Sequence, residues 1–563
     1  MGSVECMLWQ YTAAMLTGLR WYGVLGFCCL TLALLMQAPQ WRNMGDARFR
    51  GVLVQLNADE YYYLPRVMEA LRGRMSQASE GLVGDPRIRS LQGAVIEQTY
   101  GILFGWTGWR AATVLQILDS VEPPLLFLAL IAFLTIAGFS RVQALTGSVL
   151  FVLLELYSLN RPVHQRASFL LVVLACTCLI TGMRGQRRAS VLGGMLLGLL
   201  VGVYFWSYTF AWAFWLMLLL WESCVWLQNR SRKPTAISAL LLAGGIGMAI
   251  ALPFLLHTYV LSQDPFFPEV QFRNEVFKSR LPESWLRSGF FLVMAVSAIF
   301  GGFSRARNSP LHRNAAAVVL AAFLVLNQQI LHGTVLQFSS HYLFPLVFAG
   351  IVAILLSFAV RSRWMIPGAL ASAIFLAGIA YDGRAALSQW RVLPGRFEDQ
   401  HLVTILPVLD AISRSRILSD THTSLFIAGQ SHHDVLYSLY LKHTLMSNRE
   451  FTERYCLMVL PLPVSRREHG DLSHLQKMFP VSDMLPSERS QKLQGIQEVC
   501  AEVDGDPGSF LMRYGATHIL WNEQREPEWD LKRLRVPLEK VGQGEGWSLW
   551  KVANTLSLWE RAG

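Results

Sequence analysis

Charge is scarce in this chain of 563 residues: Asp, Glu, Lys and Arg together supply 16% of it, where a soluble globular chain carries about a quarter. The shortfall is concentrated before position 383, where apolar runs of membrane-spanning length alternate with short polar breaks. With 53% hydrophobic residues and a mean hydropathy of +0.34, the composition excludes an ordinary soluble protein. Several enzyme signatures are missing too. There is no Walker A motif, no dinucleotide-type glycine fingerprint between a strand and a helix, and no His-Glu-x-x-His. The cysteines form no metal spacing. Cys28, Cys29, Cys176, Cys178 and Cys224 sit in apolar runs, where a thiol acts as a small buried hydrophobe. No internal repeat or low-complexity tract occurs. No small-x-small cleavage site follows the apolar segment 21–36, which reads as an uncleaved first span.

The charge that is present has a pattern. The net charge is +10, but the basic residues sit in short clusters at the ends of apolar runs and form no continuous stripe, which argues against nucleic acid. The clusters are Arg184, Arg187 and Arg188; Arg230, Arg232 and Lys233; Arg305, Arg307 and Arg313; and Arg361 with Arg363. A requirement of about 20 apolar residues per span, relaxed for shielded ones, gives about eleven spans. They start near Trp21, Asp119, Leu145, Ala167, Val191, Tyr208, Ile237, Ser288, Ala315, Tyr342 and Trp364, and residues 91–112 are also rather apolar. A cytoplasmic N-terminus puts Arg141 and every one of those clusters on the cytoplasmic side, as the positive-inside rule demands. The expected fold is therefore a polytopic α-helical membrane domain over residues 1–382, with a large first extracytoplasmic loop at about 38–118. An extracytoplasmic α/β domain over residues 383–563 completes it.

That tail alternates strand-like runs at residues 424–428, 456–462, 517–521 and 547–552 with a charged helical segment at 487–503. Cys456 and Cys500 both fall in it. Outside the cytoplasm they form a disulfide or stay as two thiols, and the sequence leaves both open. His422, His432 and His433 lack matching cysteines or carboxylates, and adjacent histidines point in different directions, so no metal is assigned to them.

The first loop holds Asn57-Ala58-Asp59-Glu60-Tyr61-Tyr62-Tyr63-Leu64-Pro65-Arg66-Val67-Met68-Glu69-Ala70. On one reading Asp59 caps a helix that tolerates Pro65 in its early turns. On the other, Asp59 and Glu60 face a cavity beside the first span, where a carboxylate takes the proton of an attacking hydroxyl or amine. At these residues the chain resembles a family. An acidic motif in the first extracytoplasmic loop, many further spans and a C-terminal extracytoplasmic domain together look like the GT-C superfamily of membrane glycosyltransferases. Asp59-Glu60-Tyr61 is similar to the Asp-Glu motif of its protein O-mannosyltransferase branch. Tyr514-Gly515-Ala516-Thr517-His518-Ile519-Leu520-Trp521 resembles a strand found in the tails of uncharacterised bacterial members. The Trp-Trp-Asp motif of oligosaccharyltransferase is absent. The resemblance implies transfer of a sugar from a polyprenyl-phosphate donor to a glycan, lipid or protein acceptor, with inversion at the sugar carbon, in a bacterial inner membrane with the tail in the periplasm.

An anionic donor calls for cations on the same face. Asn160-Arg161-Pro162-Val163-His164-Gln165-Arg166 supplies Arg161, His164 and Arg166 for forked phosphate contacts, the alternative being an interfacial anchor. The amide-rich loop 327–342 adds His332 and His341, with an ordinary polar loop as its bland counterpart. Phe266, Phe267, Glu269, Phe272, Arg273, Glu275 and Lys278 read as an interfacial helix, in which Glu269 is a second carboxylate and Arg273 a further cation. Glu155, buried at the end of an apolar run, is expected to pair with Arg161. No divalent-cation site is evident, and the metal requirement stays open. A transporter or flippase is the competing class. It calls for inverted repeats and ionisable residues at mid-membrane, neither of which stands out.

Overall fold

The computed structural model describes residues 2–56, 59–74, 91–156, 158–161, 163–228, 230, 234–303, 309–335, 339–360, 362–385, 390–467, 475, 478–479 and 484–553. Asn57, Ala58, Pro162, Arg232, Lys233, Arg305, Arg307, Arg361 and residues 336–338, singled out above, lie outside that set.

The first two-thirds of the chain is a helical bundle. Its helices are α1 (Gly2–Met44), α2 (Glu60–Leu71), α3 (Val95–Phe104), α4 (Ala111–Ala137), α5 (Arg141–Leu154), α6 (Arg166–Met183), α7 (Arg187–Val201) and α8 (Phe205–Gln228). They continue through α9 (Thr235–Ser262), α10 (Phe267–Arg273), α11 (Trp285–Phe303), α12 (Pro310–Leu326), α13 (Gln328–His332), α14 (Leu343–Val360) and α15 (Ile366–Asp382). Among the described residues, seven segments, in α1, α4, α6, α8, α9, α14 and the Arg363–Asp382 stretch, are long and apolar enough to cross a membrane. Shorter apolar helices at Arg141–Leu154, Trp285–Gly301 and Pro310–Leu326 stand among them. A helix accompanies each of the expected spans. The architecture is polytopic and helical, and one apolar core runs through the bundle. Small residues set its tightest contact. Gly194 and Gly198 of α7 lie against Ala243 and Gly247 of α9, and a Cβ at Gly194 would stand 2.5 Å from the Ala243 carbonyl oxygen.

Two differences from the expected spans have physical causes. The span expected at Asp119 begins at Ala111, because Asp119 and Glu122 are not excluded from α4 but neutralised inside it by Arg166. Residues 91–112 make no span, since α3 is 10 residues long and a crossing needs about 20. Ile102, Leu103 and Trp106 beyond its midpoint are exposed, as suits a helix lying along a lipid interface.

The C-terminal part is an α/β region. Its elements are α16 (Leu406–Ala411), α17 (Thr421–Gln430), α18 (Asn448–Val459), α19 (Pro486–Gly505) and α20 (Pro507–Arg513). They surround a five-stranded sheet of β3 (Arg416–Leu418), β4 (Asp434–Val435), β5 (His518–Asn522), β6 (Leu538–Gly544) and β7 (Trp547–Val552), in the order β4-β3-β5-β7-β6. The β3 pairings are parallel, and the β5–β7 and β6–β7 pairings are antiparallel. The earlier β1 (Phe277–Lys278) and β2 (Thr334–Val335) form a separate small ribbon in the bundle. Alternation buries both sheet faces. Leu418 and Ile519 join one core, Ile417 and Leu520 the other. Gly515 adopts φ +63°, which ends α20 and turns the chain into β5.

The expected strands at 517–521 and 547–552 and the helix at 487–503 are present. The run at 424–428 is instead the interior of α17, and 456–462 is the last turn of α18 and the turn that follows it. Periodicity does not separate short apolar runs of either kind. The caps decide: Asp420 accepts from the N–H groups of His422 and Thr423, and Ser447 from that of Glu450. Cys456 and Cys500 are joined by a disulfide linking α18 to α19.

The α/β region sits on the end of the bundle that carries Asp59. Gln400 donates to the Val52 carbonyl at 2.7 Å, Arg110 reaches Asp410 at 2.7 Å, and Arg72 donates to the Ser431 carbonyl at 3.0 Å. Within this seam Glu69 of α2 is buried with Oε2 unpartnered. Burial pushes its carboxyl up to about 8, against the opposing pull of Arg74 and Arg66. An acid raised in the folded state favours folding below its unfolded value and loses that benefit as pH rises through the folded one. Glu69→Gln is therefore expected to raise the unfolding temperature by a few degrees at pH 9 and to leave it nearly unchanged at pH 5. Equal shifts at both pH values would contradict the assignment.

Candidate active site

Asp59 occupies the N-cap position of α2, yet its carboxylate makes no capping bond to the helix. It forms an ion pair with Arg161 instead, the two side chains being 33% and 22% exposed. The pair is thus half open, at the end of the bundle beneath the α/β region. The segment that delivers Arg161 is strained. Val163 and Gln165 have φ of 62° and 64°, a left-handed conformation that costs about 1–3 kcal/mol at a non-glycine residue. They flank His164, so the backbone is forced into an unfavourable turn where Arg161 and His164 are presented.

Beside the pair runs a ladder of rings. Tyr63 packs edge-on to His164 at 5.0 Å, His164 stacks on Tyr204 at 4.7 Å, and Trp206 stacks on His341 at 4.3 Å. Hydrogen bonds lock it. The Tyr63 hydroxyl and the Gln92 amide meet His164 Nδ1 at 3.1 and 3.2 Å, and Tyr204 bonds to His341. Burial, helped by the charges of Arg66 and Arg161, holds His164 well below its ordinary value, and burial with Arg161 and His443 brings His341 down to about 3. Both imidazoles are neutral at physiological pH and serve as hydrogen-bonding groups without charge.

The other sequence-singled residues lie apart. Glu60 accepts from the Leu56 N–H at 3.0 Å and lines a narrow cavity with Gln37, Gln40, Gln55, Gln116 and Asp119. Arg166 is fully buried between Asp119 and Glu122 and also donates to the Leu159 carbonyl at 2.8 Å. It closes a structural charge cluster. Glu155 does not pair with Arg161, since Asp59 holds that guanidinium; its buried carboxyl lies by Ser158. Glu269 accepts from the Asn448 N–H, and Arg273 bonds into residues 442–448. His332 is exposed and accepts from the Thr334 N–H. His432 and His433 do not diverge: their rings pack 4.1 Å apart, each bonded to a separate carbonyl. No group of three or more His, Cys, Asp or Glu side chains suited to a metal occurs among the described residues.

Sequence reasoning missed the aromatic members. Tyr62 packs against Tyr440 at 5.2 Å and His443 at 5.5 Å, both from the α/β region. Tyr204 comes from the turn between α7 and α8, and Trp206 from the first turn of α8. The run of tyrosines after Glu60 was the one local signal. The larger cleft, 460 Å³ between α18 and α19 with Phe272 and Phe479 at its mouth, is a different place.

The two arginines of the 160–166 segment should separate by stability. Arg166→Ala leaves two buried carboxylates uncompensated and is expected to cost about 3–5 kcal/mol. Arg161→Ala, at a half-open pair, is expected to cost about 1 kcal/mol or less. Thermal unfolding in detergent checks the ranking, and the reverse order would refute it.

No protein-family model and no curated protein matches the chain. Among solved structures it is similar to ArnT from Cupriavidus metallidurans bound to undecaprenyl phosphate, with a TM-score of 0.49 and 10% identity over 95% of this chain and 98% of that one. The arabinofuranosyltransferase AftD from Mycobacteria gives 0.49 and 14% over 95% of this chain and 40% of that one. The Archaeoglobus fulgidus oligosaccharyltransferase, solved tethered to an acceptor peptide, gives 0.41 and 10% over 93% and 73%.

Proposed function

We propose that the chain is a membrane glycosyltransferase of the GT-C type that moves a sugar from a polyprenyl-phosphate donor to an acceptor on the extracytoplasmic face. The observation that carries the reading is the Asp59–Arg161 pair: a carboxylate at a helix N-cap position that forgoes the cap, held by an arginine on a strained turn, half open beside neutral histidines. The donor phosphate takes over the Arg161 guanidinium, a forked donor suited to phosphate oxygens. That exchange frees Asp59. The acceptor hydroxyl or amine then attacks the sugar carbon and gives its proton to the Asp59 carboxylate. The bond from that carbon to the phosphate oxygen breaks, and its electron pair leaves on the phosphate. Arg161 stabilises the charge that develops there, in a setting where fixed donors act strongly. His164 and His341 offer neutral N–H groups to the same oxygens. Attack from the face opposite the phosphate inverts the sugar carbon.

In this reading residues 1–382 are the membrane domain and 383–563 an extracytoplasmic domain. The Cys456–Cys500 disulfide supports an oxidising compartment for the latter. Arg166, Glu269, Arg273 and His332 have other partners and are not assigned to the donor. The test is transfer in proteoliposomes from a panel of polyprenyl-phosphate sugars to mixed acceptors. Asp59→Asn is expected to lower turnover by about 10²–10⁴-fold while donor binding is retained, and Arg161→Ala to weaken donor binding. Wild-type transfer no greater than that of Asp59→Asn with every donor would overturn the proposal.

A further inference from the structure

The loop between α9 and α11 reaches out of the bundle and grips the α/β region. Arg273 is fully buried, and its bonds all go to one short segment. It donates to the carbonyls of Lys442, Thr444 and Met446 at 3.2, 3.0 and 2.9 Å and to Asn448 Oδ1 at 2.7 Å. Beside it Asn274 donates to the Lys442 carbonyl at 3.2 Å and bonds to the His443 ring, and Glu269 accepts from the Asn448 N–H. Burying a guanidinium against carbonyls is costly unless every bond is made. The return on that cost is a fixed position for residues 442–448.

What this grip positions is the turn just before, at Leu439–His443. Its Tyr440 packs edge-on to Tyr62 at 5.2 Å and stacks with His443 at 6.2 Å, while His443 meets the other side of the contact with Tyr62 at 5.5 Å. Tyr62 lies three residues after Asp59 in the first turn of α2, so its contact with Tyr440 brings that ring to the end of the helix where Asp59 stands. On the transferase reading, a donor phosphate on Arg161 brings the sugar bonded to it to this end of α2, where the Tyr440 ring stands. An aromatic face offers an apolar surface to the C–H face of a sugar ring, and the phenol hydroxyl at its rim a hydrogen bond.

We propose that Tyr440 is the contact of the α/β region with the transferred sugar, an aromatic face set beside the Asp59–Arg161 pair, and that Glu269, Arg273 and Asn274 are the positioning residues that hold it there. This rests on the transferase reading and adds to it that the site is shared between bundle and tail.

Photo-crosslinking in nanodiscs with the full chain tests it. Benzoylphenylalanine is placed at position 440 or, on the bundle side, at position 206. The probes are polyprenyl phosphate and a polyprenyl-phosphate hexose. Position 206 is expected to label both lipids, and position 440 to label the hexose-bearing lipid at least about tenfold more than the bare one. Adding Arg273→Ala cuts the label at 440 about tenfold and leaves that at 206, and Arg273→Lys restores part of it. Independently, Tyr440→Ala raises KM more than it lowers kcat, and Tyr440→Phe, which keeps the ring and loses the hydroxyl, raises KM by less than Tyr440→Ala does. Labelling at 206 with silence at 440, or equal labelling of both lipids at 440, overturns the inference and leaves the transferase reading intact. Silence at both positions sinks the two together.

Discussion

One ion pair organises the end of the molecule where chemistry is proposed. Asp59 begins α2 and would normally satisfy its first N–H groups; here it is drawn aside to Arg161. Around that contact the chain makes local sacrifices. The 163–165 turn is left-handed at Val163, a β-branched residue that strongly disfavours such a φ. Two histidines are buried against the charge of Arg161 and lose their affinity for protons. Interactions that cost stability at one place persist only where the surroundings over-determine them. Here the ring ladder, the α2–α17 contact and the Arg273 grip supply that determination.

The contrast with the other arginines is informative. Arg66, Arg166, Arg273 and Arg454 are all fully buried. Arg66 is consumed by Glu97 and the Gly93 carbonyl, Arg166 by two carboxylates, and Arg454 by Glu450 and the Leu436 carbonyl. Each is committed to holding the structure around it together. Arg161 differs because the guanidinium side chain is itself partly exposed, at 22%. A guanidinium that can trade a carboxylate for a phosphate without burying either is what an anionic donor requires. A buried arginine would have to break an uncompensated cluster to do the same.

The bundle was legible because long apolar runs admit few alternatives in lipid, where the backbone must satisfy itself within each helix. The presence and order of the long helices followed from that. What failed to show was pairing across distance. Asp119 and Glu122 looked like the polar edge of a span, because their neutraliser, Arg166, lies 44 or more residues away in the chain. Glu155 and Arg161 looked like partners because they are near in sequence, while the actual partner of Arg161 lies in the first loop. In the tail, short apolar runs were assigned to strands, and side-chain caps made them helices. Asp59, Arg161, His164 and His341 were each found from local residue type, and the structure brings them together. Tyr440 and His443 carried no local signal, since their meaning comes from the fold that sets them against Tyr62.

The most direct measurement is a cryo-EM structure of the full chain in lipid nanodiscs with polyprenyl phosphate added. The account predicts phosphate density on the Arg161 guanidinium, within reach of His341, with the Asp59 carboxylate released from the pair and facing the same opening. Phosphate bound elsewhere, with Asp59 and Arg161 still joined, would contradict it.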